Sequence, residues 1–336
     1  MNSAKRKIRW GVLGYARIAR TEFIAAIQRS ANAECVAVAS RDEAKLAEVR
    51  AKFPGVTRTF SDYETLLRDP EVDAIYVPLP NSMHQEWTLK AAAHGKHVLC
   101  EKPAALNAAE CRAMIAECAA RGVTLMEAFM YRYTERTRQV VEILRSGVLG
   151  DVKQVNSMFR FFLTNPASIK LRPELGGGAL YDIGCYALNF IGLVVDEASR
   201  SAPGQGPVPE SVAVECVRAS GVDVGFSALL RYPGGLVAAL HCGFEAHKRV
   251  VAEIVGTQGV LEIPDTFFDN AGTLTLTVGE ERREIPVAAS DRYRLEVEDF
   301  SAAILERRVP LVGLAETLRN AELTDRLLAA ARDRTG

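Results

Sequence analysis

The sequence predicts an α/β protein in two parts: a doubly wound parallel sheet, then an α+β domain with a mainly antiparallel sheet. Two observations carry that expectation. Between residues 8 and 126 short apolar strands alternate with amphipathic helices, about six of each, the pattern of a parallel sheet covered on both faces. After Thr134 long strands with in–out alternation take over, several joined by short turns such as Tyr232-Pro233-Gly234-Gly235, as in antiparallel hairpins. The expected division is residues 1–127 and 128–336.

Ile8-Arg9-Trp10-Gly11-Val12-Leu13 is the first strand and residues 18–30 the first helix. Cys35-Val36-Ala37-Val38-Ala39 is too apolar to have a wet face, as a strand covered on both sides should be. The next helix starts near Ser40-Arg41-Asp42-Glu43, which has the spacing of a capping box. Residues 56–60 make a weaker strand, and Ser61-Asp62-Tyr63-Glu64 repeats the box before a helix ending near Asp69-Pro70. Val72-Asp73-Ala74-Ile75-Tyr76-Val77 is the fourth strand, and Gly95 closes the helix after it. His97-Val98-Leu99-Cys100 is the fifth strand, residues 107–121 a helix and 123–126 the sixth strand. Beyond Thr134 one helix runs to Ser146-Gly147, and strands follow at 152–162, 212–218, 222–231, 236–244, 250–255 and 274–278. Helices at 297–306 and 315–330 finish the chain, and the Pro-, Gly- and Ser-rich stretch 199–209 reads as a surface loop.

The 336 residues suit two domains, 48% apolar and 25% charged, an ordinary globular balance. A net charge of −1 offers no basic field to nucleic acid or an anionic membrane. No apolar run approaches the ~20 residues that span a bilayer. Met1-Asn2-Ser3-Ala4-Lys5-Arg6-Lys7 is basic but leads into a strand rather than a signal-peptide apolar stretch, so the cytoplasm is expected. Seven cysteines show neither CxxC nor zinc spacing, so no metal is expected and buried thiols are.

Gly14-Tyr15-Ala16-Arg17-Ile18-Ala19 follows the first strand, a G-x-G-x-x-G/A fingerprint with alanine at its second position. Its first glycine allows the tight turn, and the helix N-terminus after it faces a pyrophosphate. The end of the second strand chooses the cofactor. Ser40-Arg41 stands where an acid would favour NAD, and a hydroxyl with a guanidinium suits a 2′-phosphate, so NADP is preferred over NAD. The competing reading makes Ser40 the helix cap and Arg41 solvated, with Asp42 close enough to contact a ribose. Pro78-Leu79-Pro80-Asn81 fixes an extended turn after the fourth strand, a rigid wall for a flat ring. Asn81 and His84 open the next helix, and His84 is either a cofactor contact or an ordinary first-turn residue.

Glu101-Lys102-Pro103 ends the fifth strand, where ligands of such sheets bind. Asp182-Ile183-Gly184-Cys185-Tyr186 follows a triple-glycine turn and sets a carboxylate and a phenol one helical turn apart. A phenol and an ammonium beside a nucleotide site suit moving a hydroxyl proton while a nicotinamide moves the hydride. An unperturbed tyrosine, pKa ~10, is a poor base at neutral pH, and an adjacent Lys102 ammonium would favour its phenolate. The competing reading makes Lys102 a surface residue and Tyr186 part of a helix core. Arg172 either contacts substrate or anchors the glycine turn. Arg160, flanked by Phe159, Phe161 and Phe162, fits a sugar-binding rim or core packing, and Arg132 is equally open.

With these motifs assembled, the chain resembles the glucose–fructose oxidoreductase / inositol dehydrogenase family over essentially its whole length. The match rests on the Gly14 fingerprint, the Pro78–Asn81 turn and Glu101-Lys102-Pro103. It also rests on Met126-Glu127-Ala128-Phe129-Met130-Tyr131-Arg132 and the segment from Gly176 to Tyr186. The resemblance implies a Rossmann domain, a second domain whose large open sheet serves homodimer or homotetramer contacts, and hydride transfer to or from a sugar or sugar-like alcohol or ketone. It implies Lys102, Tyr186 and Asp182 as catalytic residues, with Tyr186 as general acid/base where the inositol dehydrogenase branch has histidine. Tyrosine there is shared with pentose dehydrogenase, dihydrodiol dehydrogenase and deoxysugar 3-ketoreductase branches. The expected cofactor contacts are Gly14, Tyr15, Ala16, Arg17, Ile18, Ser40, Arg41, Pro78, Leu79, Asn81, His84, Glu101 and Lys102. The expected substrate contacts are Lys102, Arg160, Arg172, Asp182 and Tyr186. The alternatives are an NAD-dependent glycosidase of the same superfamily and a non-catalytic dinucleotide-sensing regulator. Tyr186 argues against the first, and retention of Lys102 with Tyr186 against the second.

Overall fold

The computed structural model describes residues 6–332. In chain order it begins β1 (Ile8–Leu13), α1 (Ile24–Arg29), β2 (Ala33–Ala39), α2 (Glu43–Lys52), β3 (Arg58–Phe60) and α3 (Tyr63–Leu67). Next come β4 (Ala74–Val77), α4 (His84–Ala93), β5 (His97–Glu101), α5 (Ala108–Ala120) and β6 (Leu125–Ala128). The second half carries α6 (Glu135–Ser146), β7 (Val152–Phe162), α7 (Cys185–Ser199), β8 (Ser211–Ala219), β9 (Val222–Arg231) and β10 (Val237–Gly243). It ends with β11 (Glu245–Gly256), β12 (Gly259–Pro264), β13 (Gly272–Val278), β14 (Glu281–Val287), α8 (Arg292–Glu306) and α9 (Leu314–Arg332).

Six parallel strands form the first sheet in the order β3-β2-β1-β4-β5-β6. The order reverses between β1 and β4, the switch point outside which such sheets bind ligands. All four residues of β4 are buried, as expected of a strand sealed by helices on both faces. Trp10 on β1 anchors this core. Its ring packs 5.8 Å from Phe23 and 5.4 Å from Phe300, and its Nε1 donates to Ser301 Oγ at 3.2 Å. Phe23 in turn stacks 3.6 Å from Tyr76 of β4.

Phe300 and Ser301 lie on α8, so the division of the chain is discontinuous rather than the expected cut at 127/128. One compact unit runs to Ala105 and adds Ala109–Met130 and Asp291–Leu314. The other comprises Leu106–Ala108, Tyr131–Ser290 and the chain from Ala315. The reason is physical: Asp291 takes a two-pronged bond from Arg29 at 2.8 and 3.0 Å, and α8 supplies the apolar cover for Trp10.

The second sheet has eight strands, ordered β14-β13-β12-β11-β7-β10-β9-β8, antiparallel except where β7 meets β10. Val222, Val224, Phe226, Ala228 and Leu230 alternate onto the buried face of β9, with Ala238 and Leu240 beside them on β10. β12 and β14 are absent from the sequence expectations. β14 is an edge strand, charged and exposed along most of its length and carrying Pro286, the composition that hides an edge from pattern reading and from other chains. The stretch Pro173–Ser199 corrects another expectation: by length and composition it could cross a membrane. Yet 89% of its apolar window is buried inside the protein, with every residue from Cys185 to Asp196 of α7 enclosed. A helix apolar all round is here the core helix of a sheet-backed domain.

Replacing Phe300 by alanine should lower unfolding free energy by ~3–5 kcal/mol in urea titrations, the range for emptying a buried aromatic site. A loss below ~1 kcal/mol would remove α8 from the first unit's core.

Candidate active site

In the first unit the chain leaves β1 at Gly14 with φ +90°, and its amide donates to Ala39 O at 2.8 Å. A Cβ there would stand 3.0 Å from Leu79 Cδ2 and 3.3 Å from Tyr63 Oη, so both the backbone angle and the space require glycine. Residues 17–29 are continuously helical, with a π turn at Ala19–Phe23, and Arg20 N donates to Ala16 O at 3.0 Å. Ala16 therefore sits at the helix entry. The first N–H groups beyond it have no acceptor within the helix and suit a pyrophosphate. This glycine cradle fits a dinucleotide. Tyr15 turns its side chain the other way: it is buried against Phe53 and donates to Glu48 Oε1 at 3.2 Å. Burial pushes that phenol up to about 12.

At the end of β2, Ser40 is buried and Arg41 exposed. Asp42 caps α2, accepting from the amides of Ala44 at 3.0 Å and Lys45 at 3.4 Å, and its own amide donates to Ser40 Oγ at 3.2 Å. The cap is thus Asp42 and not Ser40, and α3 repeats the arrangement with Asp62. The Arg41 guanidinium lies 5.9 Å from the centre of the Tyr63 ring. Tyr63, read from the sequence only as part of a capping box, stands over Gly14 and packs edge-on to Trp87 at 5.0 Å. An aromatic residue opening the third helix of an alternating sheet is the signal that could have found it.

His84 opens α4. It is fully buried, with Nδ1 2.8 Å from Pro103 O and Nε2 2.9 Å from Leu79 O. Burial holds its imidazole below the usual range, and the Lys102 charge lowers it further, while the two carbonyls pull the other way. Glu101 accepts from Tyr76 Oη, the Lys102 amide donates to Glu101 Oε2 at 3.3 Å, and Ala104 N donates to Glu127 Oε1 at 3.0 Å. The Lys102–Pro103 peptide is cis. Side chains from β4, α4 and β6 thus pin the segment carrying Lys102.

In the second unit Gly178 has φ +127°, and a Cβ there would collide with Asp223 Oδ1. Asp223, buried on β9, accepts from Leu180 N at 2.6 Å and so caps the helical stretch that carries Asp182 and Tyr186. Tyr186 is nearly enclosed by aromatic rings, with Phe267 at 5.4 Å, Phe159 at 5.7 Å and Tyr131 at 6.1 Å. The Asp182 carboxylate is paired with the ammonium of Lys170, which also lies 5.8 Å from the Phe161 ring. Sequence reading missed Lys170, whose loop carries no motif.

Arg172 anchors the glycine turn through its backbone, its carbonyl accepting from Gly177 N at 3.0 Å, while its guanidinium pairs with Glu174. Arg160 alternates to the face of β7 opposite Phe159 and Phe161, so the two rings, and not the guanidinium, lie on the side of Tyr186. Arg132 is a core residue, buried and paired with Glu316. Among the described residues no group of three or more His, Cys, Asp or Glu side chains could hold a metal.

Residues 8–129 match the oxidoreductase family with an NAD-binding Rossmann fold, and residues 137–262 match the GFO/IDH/MocA C-terminal domain. The chain belongs to the GFO/IDH/MocA family. It is an NAD(P)-dependent oxidoreductase of that family. It is 35% identical over 326 residues to D-xylose 1-dehydrogenase (NADP(+)) 2 of Haloferax volcanii, covering 96% of this chain and 97% of that protein. A 3-ketoreductase of Actinomadura kijaniata, solved with NADP and TDP-benzene, superposes with a TM-score of 0.86 at 29% identity, covering 97% of this chain and 98% of that one. Variants of that reductase with a tyrosine changed to phenylalanine and a lysine changed to alanine have also been solved. An aldose–aldose oxidoreductase of Caulobacter crescentus, complexed with glycerol, gives 0.88 at 26% identity and 98% of each chain.

Burial pushes the Asp223 carboxyl up to about 6 against the pull of the amides it caps. A carboxyl raised above its unfolded value of ~3.9 favours the fold when protonated, so its contribution is full below pH ~4 and lost as pH rises through about 6. Relative to Asp223→Asn, the wild type should therefore lose on the order of 3 kcal/mol of stability between pH ~4 and ~6.5. Urea unfolding across that range checks it. Parallel stability curves would mean that Asp223 does not titrate there.

Proposed function

We propose that this enzyme transfers a hydride between a nicotinamide cofactor, NADP in preference to NAD, and a sugar or sugar-like alcohol or ketone. The observation that carries the reading is the pairing of Tyr186 with Asp182 one helical turn away, the phenol ringed by aromatics and the carboxylate held by Lys170. When bound, the nicotinamide supplies or accepts the hydride. Tyr186 is the general acid/base: it takes the carbinol proton in oxidation and returns it in reduction. The Lys102 ammonium favours the phenolate and donates to the substrate oxygen. Asp182 accepts from a neighbouring hydroxyl and fixes the substrate's rotation. Phe159 and Phe161 offer apolar surface suited to a sugar face. The substrates named for the xylose dehydrogenase, the ketoreductase and the aldose enzyme support a sugar-like partner. Seven free thiols, six of them buried, support a cytoplasmic setting.

Tyr186→Phe keeps the ring and removes the hydroxyl, so turnover should fall by ~10²–10⁴ with NADPH affinity little changed. Lys102→Ala should lose comparable turnover and weaken substrate binding, and the double variant should lose far less than the product of the two. Steady-state kinetics with aldoses and keto sugars, together with NADPH titration, make the measurement. Near-wild-type turnover in Tyr186→Phe would assign the proton to another group.

For the cofactor, Arg41 is exposed at the end of β2 while Asp42 is committed to its helix cap. Arg41→Ala should weaken NADP(H) roughly ten- to hundredfold, a charge-assisted bond of about 1.5–3 kcal/mol, and leave NAD(H) nearly unchanged. Equal losses for both cofactors would rule out phosphate reading by Arg41.

The outer face of the second sheet exposes Val217 (58%), Leu229 (53%) and Val237 (37%) on adjacent strands. These exposed apolar side chains support a homodimer or homotetramer. Sedimentation equilibrium at micromolar concentration should show an oligomer, and Leu229→Glu should weaken it. A wild-type monomer would defeat the assignment.

A further inference from the structure

We infer that Lys170 is a specificity-determining residue which, together with Asp182, reads a hydroxyl on the carbon next to the reacting one. The substrate class is then a vicinal diol or, in the reducing direction, the matching α-hydroxy carbonyl compound. The inference rests on the reading above that Tyr186 moves the substrate proton. The Lys170 ammonium bonds Asp182 Oδ2, and this is its only hydrogen bond among the described residues. An ammonium carries three donors, so two of them have no protein acceptor. The Lys170 side chain is 33% exposed and that of Asp182 18%, so the pair is reachable from outside. Phe161 lies 5.8 Å from the ammonium, and Phe159 lies 6.4 Å from Phe161 and 5.7 Å from Tyr186. These two rings put the ion pair on the same side of the sheet as the phenol.

An ion pair this exposed adds little to stability. Its backbone is nevertheless closely fixed. The Lys170 carbonyl accepts from Gly178 N at 2.9 Å, and a Cβ on Gly177 would stand 2.6 Å from that oxygen. The Lys170 amide donates to Ser168 Oγ at 3.3 Å. The segment bearing the ammonium is thus tied to the turn that leads into Asp182. A hydroxyl suits the pair, because it donates its proton to a carboxylate while accepting from an ammonium. Asp182 and Tyr186 leave one helical stretch a turn apart, with Cβ atoms about 5–6 Å from each other. Oxygens on neighbouring carbons lie within that span. A substrate lacking the second hydroxyl strips water from both charges and gives neither a partner.

The test compares kcat/KM, with NADP and with NAD, within three pairs: D-glucose and 2-deoxy-D-glucose, D-ribose and 2-deoxy-D-ribose, trans-1,2-cyclohexanediol and cyclohexanol. In both sugars the deleted hydroxyl sits on the carbon that adjoins the anomeric carbon and the next one along. The wild type should prefer the hydroxylated member by at least roughly ten- to hundredfold, the worth of a charged hydrogen bond. Lys170→Met should lower that preference by about the same factor, and Lys170→Gln, which keeps a donor but not the charge, by less. A merely structural lysine would slow both members alike and leave the preference where it was, and that result overturns the inference. So does a wild type that treats the two members equally. Thermal melting checks the fold, and should Lys170→Met not fold, Lys170→Gln carries the same comparison. Full turnover in Tyr186→Phe would instead overturn the reading of Tyr186, while the change of preference in the Lys170 variants still reports the hydroxyl contact. A wild type inert toward every hydroxylated member would overturn both.

Discussion

The glycine turn after β1 in the first unit depends on one close approach, at Gly14. Leu79 from the turn after β4 and Tyr63 from the start of α3 come within about a van der Waals contact of where a side chain would be. Three segments far apart in sequence meet at the carboxyl ends of β1, β3 and β4, and only a residue without a Cβ permits it. From there the constraint spreads outward. His84 is packed between the carbonyls of Leu79 and Pro103, and Tyr63 lies beneath Arg41.

The second unit solves a different problem, which is to hold a phenol and a carboxylate in register on a helix otherwise apolar all round. Burying polar groups in such a core costs free energy unless each has a partner. Asp223 takes the amides at the helix start, Lys170 takes Asp182, and Asn189 accepts from Tyr131. Phe159 and Phe267 beside Tyr186 then fill space without adding polar atoms.

Much of this was legible in the sequence. Strands sealed on both faces are continuous apolar runs, so β1, β2, β4 and β5 were plain, and β9 announced itself by alternation. Glycines with a stated geometric duty, Gly14 and the Gly176–Gly178 turn, were equally clear. What remained hidden depends on three-dimensional closure. β14 is polar because it is an edge, and α8 pairs with a strand nearly three hundred residues away. The burial of His84 cannot be read from its position in a first turn, because the two carbonyls facing its ring are main-chain atoms and leave no side-chain signature. Arg160 looked like a rim residue until the parity of β7 placed it behind Phe159. Lys170 and Tyr63 sit in segments whose motifs concern caps and loops, and caps hide the chemistry of their neighbours.

The discontinuity of the first unit sets a timetable for synthesis. Met130 leaves the ribosome long before Asp291, and the whole of Tyr131–Ser290 must follow before α8 can arrive. At ordinary elongation rates of ~5–20 residues per second, that interval lasts ~10–30 s. Throughout it the Trp10 ring has no Phe300 to cover it, and the parallel sheet waits with an apolar flank open to chaperones and to other nascent chains. The second unit can complete its own sheet during the wait. Helix α8 therefore acts as a late seal, and a chain released before it is made would leave the first-made domain as its unfinished part.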